Sequence, residues 1–395
     1  MNFRLTPEQE ALRKEFDDFF REEMKNAPPG YSGGIETMFG GDEETWQFHR
    51  YMAQKLGAKG WLSLPWPKEY GGQEHDLVSQ FIFNLVMGYH RAPGIGAGIM
   101  MLAPTLLAAG NEEQKKQFLP PIARGEVDWC QGWSEPNAGS DLASLTTRAV
   151  RDGDEYILNG QKIWTSGAHH SDWMFLLART NPELKRSRGI SFLLLDMKTP
   201  GITVRPILNM DGAHSFNEVF FDDVRVPVKN RVGEEDQGWA VTRMTMNFER
   251  SGVGGFAGNL RNLEDLVGFC KETVWYGRPL IEDPLVRRHL AQMAIETKVG
   301  EAMARRLNWR MQKGEMVIAE ASASKAWGSE SHQRIIYAAC EIIGLYGQVK
   351  KSKWAPLYGR FAKAYELGCS LNLGGGSSEI QRNLVAWVGL ELPRV

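Results

Sequence analysis

The stretch that decides the fold is EYILNGQKIW, residues 155–164. Glu155–Leu158 is a short β-type run that leads into Asn159-Gly160, the dipeptide preferred in type I′ hairpin turns. Just before it, Thr146–Arg151 alternates polar and apolar side chains, and Asp152-Gly153-Asp154 predicts a turn. The remaining β-type runs lie between turn residues and cover 162–164, 173–178, 190–197, 202–207 and 219–226. Short strands joined by hairpin turns predict an antiparallel barrel or sandwich.

The sequence on both sides of this β region has helical periodicity. Thr6-Pro7-Glu8-Gln9 is a capping box, and it predicts a helix from residue 6 to about 24. Asp283 before Pro284 predicts a second well-defined helix start, with the helix running to about residue 311. The other predicted helices are 46–56, 77–89, 112–118, 239–260, 320–345, 355–367 and 379–388. We therefore predict a helical domain over 1–127, a β domain over 128–235 and a second helical domain over 236–395.

Composition excludes several classes of protein. In 395 residues the hydrophobic share is 43% and the charged share 24%, as in folded globular chains. The formal net charge of -2 gives no field that would attract nucleic acid, and no apolar run is long enough for a membrane span. No signal-peptide pattern opens the chain. The four cysteines are widely spaced without a CxxC motif, which indicates reduced residues and predicts a cytoplasmic protein. They are Cys130, Cys270, Cys340 and Cys369.

Two stretches of the β region are candidates for a ligand site. In Gln131–Asp141, small residues around Ser134 and Ser140 would let the backbone approach a ligand, with two hydroxyls available to donate. The alternative is a capped loop, and these residues alone favour it. In Trp164-Thr165-Ser166-Gly167, an indole beside hydroxyl groups suits a flat heteroaromatic ligand. The alternative is a core tryptophan, which is the more common role of that residue.

Two further candidates lie in the C-terminal third. Gly374-Gly375-Gly376-Ser377-Ser378 precedes a helix and offers free amides to an anion, although it is not a GxGxxG motif. The alternative is a plain linker, but three glycines with two cap-type serines favour a ligand loop. Glu249, followed by Arg250, lies in an otherwise mostly apolar helix, where it is either a surface charge or a buried base; by pattern alone the surface charge is favoured. The eight histidines lack metal-ligand spacing, so no metal site is predicted.

Taken together and in this order, these stretches closely resemble the acyl-CoA dehydrogenase family of flavoproteins, over nearly the whole chain. The most specific pieces are SEPNAGSD (134–141), NGQKIWTSG (159–167), residues 219–239 and GGGSSEIQRN (374–383). The resemblance implies an N-terminal helical domain, a middle antiparallel β-barrel and a C-terminal four-helix bundle, in a tetramer. It also implies that FAD oxidises an acyl-CoA to the 2,3-enoyl-CoA, with hydride passing to flavin N5 and electrons going on to an electron-transfer flavoprotein.

The resemblance further implies which residues contact the cofactor and the substrate. The residues that line the flavin ring would be Trp133, Ser134, Trp164 and Ser166, with the Ser166 hydroxyl reaching N5. Those that contact the rest of FAD would be Ser140 near the pyrophosphates of FAD and CoA, Arg278 from a neighbouring subunit, His289, Glu341, Gly344, Ser377 and Glu379. Substrate would contact Ser140, Arg250 and Gly375.

One departure from the family pattern concerns the catalytic base. Many members carry a glutamate seven residues before the arginine of the final IQR, and here that position is Gly375. A minority place the base in a Glu-Arg pair on the first long helix of the C-terminal domain, which corresponds to Glu249 and Arg250. The triple glycine and the closing LELPR most resemble the subgroup acting on bulky cyclic or steroid-derived thioesters, often as mixed tetramers. The alternatives are an O2-reactive oxidase or monooxygenase of the same fold, and an FAD-holding subunit of a heteromeric enzyme.

Overall fold

The structure is a computed structural model that describes residues 3–33, 42–93, 95–250 and 255–394, without the side chains of 248–250. Its internal contacts divide the chain into two compact units. One contains residues 1–35, 76–93 and 250–395, and the other contains 36–75 and 94–249. This division does not follow three consecutive domains, since the N-terminal helices are shared between the units. The predicted domain boundaries stay a prediction.

The regular elements alternate as predicted between helical, strand and helical segments. In the described residues, helices α1–α11 are Pro7–Glu23, Glu43–Ala58, Leu77–Tyr89, Ala103–Ala109, Glu112–Ala123, Gly238–Arg250, Gly255–Glu272, Pro284–Gln312, Ile318–Ile343, Arg360–Leu371 and Ser378–Leu384. Strands β1–β10 are Trp129–Gly132, Arg148–Asp152, Glu155–Lys162, Trp173–Arg179, Ile190–Asp196, Ile202–Leu208, His214–Pro227, Arg231–Val232, Val274–Trp275 and Arg278–Pro279. Single π-helical turns cover Gly98–Leu102 and Val385–Gly389.

The helix starts that the sequence predicted are present. Thr6 Oγ1 accepts from the Gln9 amide at 3.2 Å while Gln9 Oε1 accepts from the Thr6 amide at 3.1 Å, so α1 begins with a reciprocal capping box. At the start of α8, Asp283 Oδ1 accepts from the amide of Leu285 at 2.8 Å. The predicted helix 239–260 corresponds to α6 and the start of α7, with residues 251–254 outside the described part.

The first unit has its core among its long helices. Phe16 of α1 meets the ring of Phe83 on α3 edge-on, with 5.3 Å between the centroids. Helices α7, α8, α9 and α10 share one apolar cluster, to which they contribute Leu266, Leu290, Ile335 and Phe361 respectively. The C-terminal part is therefore helical, as predicted, and its helices are held by a common core.

The second unit contains one eight-stranded sheet in the order β6-β7-β3-β2-β4-β5-β8, with β1 also paired to β4. Most pairs are antiparallel, but β1 and β2 each pair with β4 in parallel. The prediction of an antiparallel sheet is wrong at these two pairs. The chain reverses its direction between β2 and β3 and again between β3 and β4, so β1, β2 and β4 all run the same way. Closure of this sheet into a barrel stays a prediction.

The hairpin predicted at Asn159-Gly160 is wrong. Strand β3 runs straight through both residues, and its register against β7 shifts between Leu158 and Gly160. Gly160 has φ of 147°, and a Cβ there would lie 2.7 Å from Oγ1 of Thr147, the residue just before β2, so the glycine permits this close approach. The turn is the predicted one at Asp152-Gly153-Asp154, which joins β2 to β3.

Apolar side chains cover both faces of the sheet. Phe175 and Phe192 belong to a cluster with Phe118 and Leu119 of α5, and Tyr156 and other residues fill the opposite face. Helix α4 was not predicted from the sequence. Because it is buried on most sides, it has no amphipathic stripe to reveal it. None of the described helices is both long and apolar enough to cross a membrane.

Candidate active site

The structure brings together the two segments predicted to line a flavin ring. Ser134 follows the end of β1, and Ile163 follows the end of β3. The Ile163 amide donates to the Ser134 carbonyl at 2.9 Å, and the ammonium of Lys162 donates to the Trp133 carbonyl at 3.1 Å. Trp133–Ser134 and Trp164–Ser166 are therefore neighbours, held by direct hydrogen bonds between their flanking residues.

Trp164 presents its indole to solvent. The residue is 57% exposed, and its backbone φ is 59°, a conformation that bulky residues rarely adopt. The following turn is fixed by Asn217, whose carbonyl accepts from the Thr165 amide at 3.0 Å while its side-chain amide donates to the Thr165 carbonyl at 3.0 Å. The interpretation of Trp164 as a core residue is wrong: the chain holds a flat aromatic surface outward at some cost in backbone strain.

Trp133 lies differently from Trp164. Its indole is buried and meets Phe175 and Phe192 edge-on, with centroid distances of 6.1 and 6.4 Å. The Trp133 side chain therefore packs in the core, and its contact with the flavin ring stays a prediction. Ser134, next to it, is half-buried, and in the described part of the chain neither its amide nor its hydroxyl donates to a protein acceptor. Ser134 thus has donors available to a ligand.

Unpaired polar atoms around these segments test whether a flavin fits. Trp133 Nε1, Thr165 Oγ1 and Ser215 Oγ are buried and have no hydrogen-bond partner among the described residues. The Gly167 amide donates to the Ser215 carbonyl at 3.0 Å, so Ser215 lies beside the Trp164 turn. Leaving such groups unpaired costs about 1–3 kcal/mol each. An outward-facing aromatic ring with unpaired hydroxyls beside it fits a planar heteroaromatic cofactor such as the flavin of FAD.

Ser140 lies at the exposed end of a tight loop. Glu135 and Ala138 exchange both backbone hydrogen bonds at 3.0 Å, which closes the loop. A Cβ on Gly139 would meet nothing within 4 Å, and Ser140 is exposed. The site is open to a large polar ligand, and its role next to pyrophosphate stays a prediction.

The triple-glycine loop before α11 is held firmly, so its interpretation as a plain linker is wrong. Gln381 Nε2 donates to the Gly375 and Gly376 carbonyls at 2.9 and 3.1 Å, and Lys325 Nζ donates to the Gly376 carbonyl at 2.8 Å. Ser377 caps the helix by accepting from the Ile380 amide at 3.4 Å. Within the described residues, the amides of Gly375, Gly376 and Ser377 have no protein acceptor. Glu379 is exposed in the first turn of α11.

Four of the residues predicted to contact the rest of FAD lie on the surface of the first unit: Arg278, His289, Glu341 and Gly344. His289 Nε2 is 3.6 Å from Glu341 Oε2, so the structure brings these two together. Arg278 is exposed on the hairpin of β9 and β10, and its guanidinium is 3.6 Å from Asp283. Gly344 has φ of 69°, as glycine readily adopts.

Glu249 and Arg250 are the last two residues of α6. The hydroxyls of Thr242 and Thr245 in this helix are buried and bond to carbonyls one turn earlier, at 2.8 and 3.0 Å. The side chains of Glu249 and Arg250 lie outside what the structure describes, so their catalytic and substrate-binding roles stay predictions.

The sequence reasoning missed a fully buried ion pair beside the candidate flavin site. Lys162 Nζ lies 2.8 Å from Glu135 Oε1, and the glutamate also accepts from the Thr146 amide and hydroxyl and from the Thr147 amide, at 2.7, 2.8 and 2.9 Å. The strand alternation gives a signal that could have found it. Tyr156 and Leu158 point inward on β3, and Lys162 has the same parity, so its charge requires a buried partner.

The charges of this pair are maintained by their contacts. Burial alone would raise the pKa of Glu135, but the charge of Lys162 and the hydrogen bonds outweigh it and lower that pKa to about 2. Burial lowers the pKa of Lys162 to about 8, against the attraction of Glu135. Both groups are therefore charged at neutral pH.

Three histidines lie just beyond the Trp164 turn. The rings of His169 and His214 are stacked with centroids 3.8 Å apart, and His170 stacks on Trp46 at 4.3 Å. Burial and the charges of the other two histidines lower the pKa of His169 to about 4. In the described residues no group of histidine, cysteine or acidic side chains could hold a metal ion.

The comparisons with known proteins identify the family. The acyl-CoA dehydrogenase N-terminal, middle and C-terminal domains match residues 6–126, 130–224 and 236–390. The chain belongs to the acyl-CoA dehydrogenase family, with a helical N-terminal part, a sheet in the middle and a helical C-terminal part. Members of this family are FAD-dependent oxidoreductases.

The similar proteins include acyl-CoA dehydrogenases and a structure described as a steroid enzyme. The acyl-CoA dehydrogenase FadE26 of Mycobacterium tuberculosis is 35% identical over 408 residues, covering 100% of this chain and 99% of that protein. A solved structure described as the Tcur3481-Tcur3483 steroid ACAD has a TM-score of 0.89 at 33% identity, covering 100% of both chains. The ChsE4-ChsE5 complex from Mycobacterium tuberculosis has a TM-score of 0.87 at 36% identity, again covering 100% of both chains.

Proposed function

We propose that this chain removes the α-proton and the β-hydride from an acyl-CoA thioester, giving the 2,3-enoyl-CoA, and that Glu249 is the base. The observation that carries the assignment of the base is Gly375. The position that carries the base in many members is a glycine here, with φ of 66°, so the loop before α11 offers no carboxylate at that point. Glu249, at the end of α6, is the acid residue that matches the second base position of the family.

The chemistry requires three things of the chain. A thioester α-C–H is a weak acid, so the carbonyl oxygen needs hydrogen-bond donors to hold the charge that develops on it. The Gly375 amide, which has no protein acceptor in the described part, would supply one such donor. Glu249 would take the proton at its carboxylate. Bound FAD supplies the hydride acceptor, and Trp164, Ser134 and Ser166 would hold its ring.

We further propose a bulky acyl group, cyclic or steroid-derived. A glycine at 375 retains the amide donor and leaves side-chain volume open, which favours a wide substrate over a slender one. One of the similar structures is described as a steroid ACAD, and that similarity supports the proposal.

The proposed assembly is a tetramer, either of this chain alone or mixed with a related chain. One of the similar structures is described as a complex of two components, ChsE4 and ChsE5. The hairpin of β9 and β10 carries the exposed side chains of Trp275 and Tyr276 close to Arg278. Leu345, which follows Gly344 in the sequence, is also exposed. Aromatic side chains around an arginine are typical of a buried interface. Electrons would leave to an electron-transfer flavoprotein.

The test is a titration of the purified holoenzyme with straight, branched, cyclic and steroidal acyl-CoAs without oxygen. We expect bleaching of the flavin band with stoichiometric enoyl-CoA, preferentially with bulky thioesters, and slow recovery of colour in air. Rapid recovery of the flavin colour in air, with formation of hydrogen peroxide, would identify an oxidase instead. If the chain purified alone is saturated with FAD and no thioester bleaches it at any concentration, the proposed dehydrogenase activity of this chain is contradicted. That result would favour an FAD-holding subunit of a heteromeric enzyme.

A further inference from the structure

The buried pair Glu135–Lys162 lies between the two segments assigned to the flavin. Lys162 is completely buried and Glu135 is 6% exposed, and they are adjacent in sequence to Ser134 and Ile163. Removing two charges from water is costly, and a buried ion pair is often no better for stability than apolar residues of the same volume. Stability alone is therefore a weak reason for this pair to be here.

The contacts of Lys162 point to a more specific role. Its ammonium donates both to Glu135 Oε1 at 2.8 Å and to the Trp133 carbonyl at 3.1 Å. The glutamate is fixed in turn by three hydrogen bonds from Thr146 and Thr147. Lys162 thus has one defined position, and the Trp133 carbonyl is directed towards it.

A peptide group is planar, and in its trans form the carbonyl and the following N–H point in opposite directions. When Lys162 binds the Trp133 carbonyl from the interior, the Ser134 amide of the same peptide points away from Lys162. That amide has no protein acceptor in the described part of the chain. The Ile163 amide fixes the next carbonyl, of Ser134, at 2.9 Å. Both peptides of the segment are therefore oriented from strand β3.

We propose that Lys162 is a positioning residue for the flavin: by holding the Trp133 carbonyl, it aims the Ser134 amide at a polar edge atom of the ring. Glu135 gives the lysine a second hydrogen-bond acceptor, and the amide oxygen of a glutamine at the same position could accept that bond as well. The inference rests on the proposed placement of the ring against Ser134 and Trp164. A donor aimed at the ring favours the form that carries more negative charge, so it raises the midpoint potential of bound FAD as well as its affinity.

The experiment compares Lys162→Met, Glu135→Gln and the double variant with wild-type holoenzyme. In Lys162→Met the carbonyl contact is lost and a buried carboxylate is left alone, so the unfolding midpoint should fall. In the double variant the uncompensated charge is removed, so stability should recover. The matched control is Arg334→Met with Glu296→Gln, another pair with a buried glutamate, at 2.9 Å in the helical unit.

The readouts are the FAD dissociation constant, the visible spectrum and the two-electron midpoint potential. We expect the double variant to bind FAD about tenfold more weakly. Its midpoint potential should be about 30 mV lower, which for a two-electron couple is a tenfold change in the equilibrium constant for reduction. Glu135→Gln alone retains the lysine and should keep both values close to wild type. The control pair should change neither.

A double variant with restored stability and wild-type potential and affinity would overturn the proposal, because the pair would then be structural only. A Glu135→Gln protein that differs from wild type as much as the double variant would also overturn it, since the charge and not the carbonyl contact would matter. If wild type itself holds FAD but no thioester bleaches it, the proposed function fails while the potentials still test Lys162.

Discussion

Gly375 is the residue on which the choice of base depends. Its φ of 66° is in the left-handed region, where a side chain is disfavoured, and its carbonyl is held by Gln381. In the proposed function this glycine provides open volume and an amide donor. The structure adds that its backbone is fixed in a conformation that suits glycine.

A carboxylate placed at 375 should partly replace Glu249. In the family both base positions serve the same substrate α-carbon, so Gly375→Glu in a Glu249→Gln background should restore some flavin bleaching. We expect partial rescue, better for small linear acyl-CoAs than for bulky ones, because the new side chain occupies the open volume and strains the backbone by about 1 kcal/mol or more. Gly375→Ala in the same background is the control for strain, and bleaching is measured by stopped flow.

Equal rescue for substrates of every size would show that the glycine is unrelated to pocket volume. No rescue at all, in a double variant that still binds FAD and enoyl-CoA, would show that residue 375 does not face the α-carbon.

At the scale of elements, helices α7 and α9 are joined by a titratable contact. His332 of α9 lies with Nδ1 2.7 Å from Asn259 Oδ1 on α7. Burial lowers the pKa of His332 to about 4, against about 6.5 for a free histidine. Between these values the unfolded chain binds a proton that the folded chain does not. Stability therefore falls as the pH decreases from about 6.5 to about 4.

Replacing this histidine should remove part of the acid sensitivity. We expect His332→Gln to be less stable than wild type at pH 7.5 but to lose less on acidification, with the ratio of unfolding constants changing by at most about tenfold per pH unit. Thermal-unfolding midpoints at half-unit steps from pH 4 to 7.5 measure this. His75→Gln, at an exposed position, is the control. Parallel pH profiles for wild type and His332→Gln would contradict the assignment.

The elements also show how far the sequence could be read. Capping residues such as Thr6 and Asp283 act on their own neighbours, so the helices that they start were predicted correctly. The hairpin at Asn159-Gly160 was predicted wrongly because glycine also permits a continuous strand that passes close to Thr147, just before β2, and this tertiary approach is not visible in the dipeptide. The alternation of β3 marks Lys162 as an inward-facing charge, but it does not identify the partner, Glu135, which is 27 positions away in the sequence.

At the scale of the whole molecule, FAD binding is proposed to depend on assembly. Arg278 makes one ion pair in the described part of its own chain, with Asp283, and its side chain is more than half exposed. If it grips the pyrophosphate of FAD in a neighbouring subunit, Arg278→Ala should lose a charge-assisted contact and bind FAD at least tenfold more weakly. Gel filtration with absorbance at 450 nm measures FAD per chain and the size of the assembly.

The matched control for this variant is Asp283→Asn, which releases the arginine while keeping an N-cap residue for α8. It should retain FAD. A wild-type monomer saturated with FAD would refute the role of a second subunit.

The most direct test of the whole account is a single-turnover measurement on Glu249→Gln. The variant is isosteric and has no base, so it should stay yellow, bind enoyl-CoA as wild type does, and be bleached by its best acyl-CoA about 10²–10⁴ times more slowly. Glu249→Asp, with a shorter carboxylate, should retain intermediate activity. Bleaching of Glu249→Gln at close to the wild-type rate would contradict the assignment of the base and the mechanism built on it.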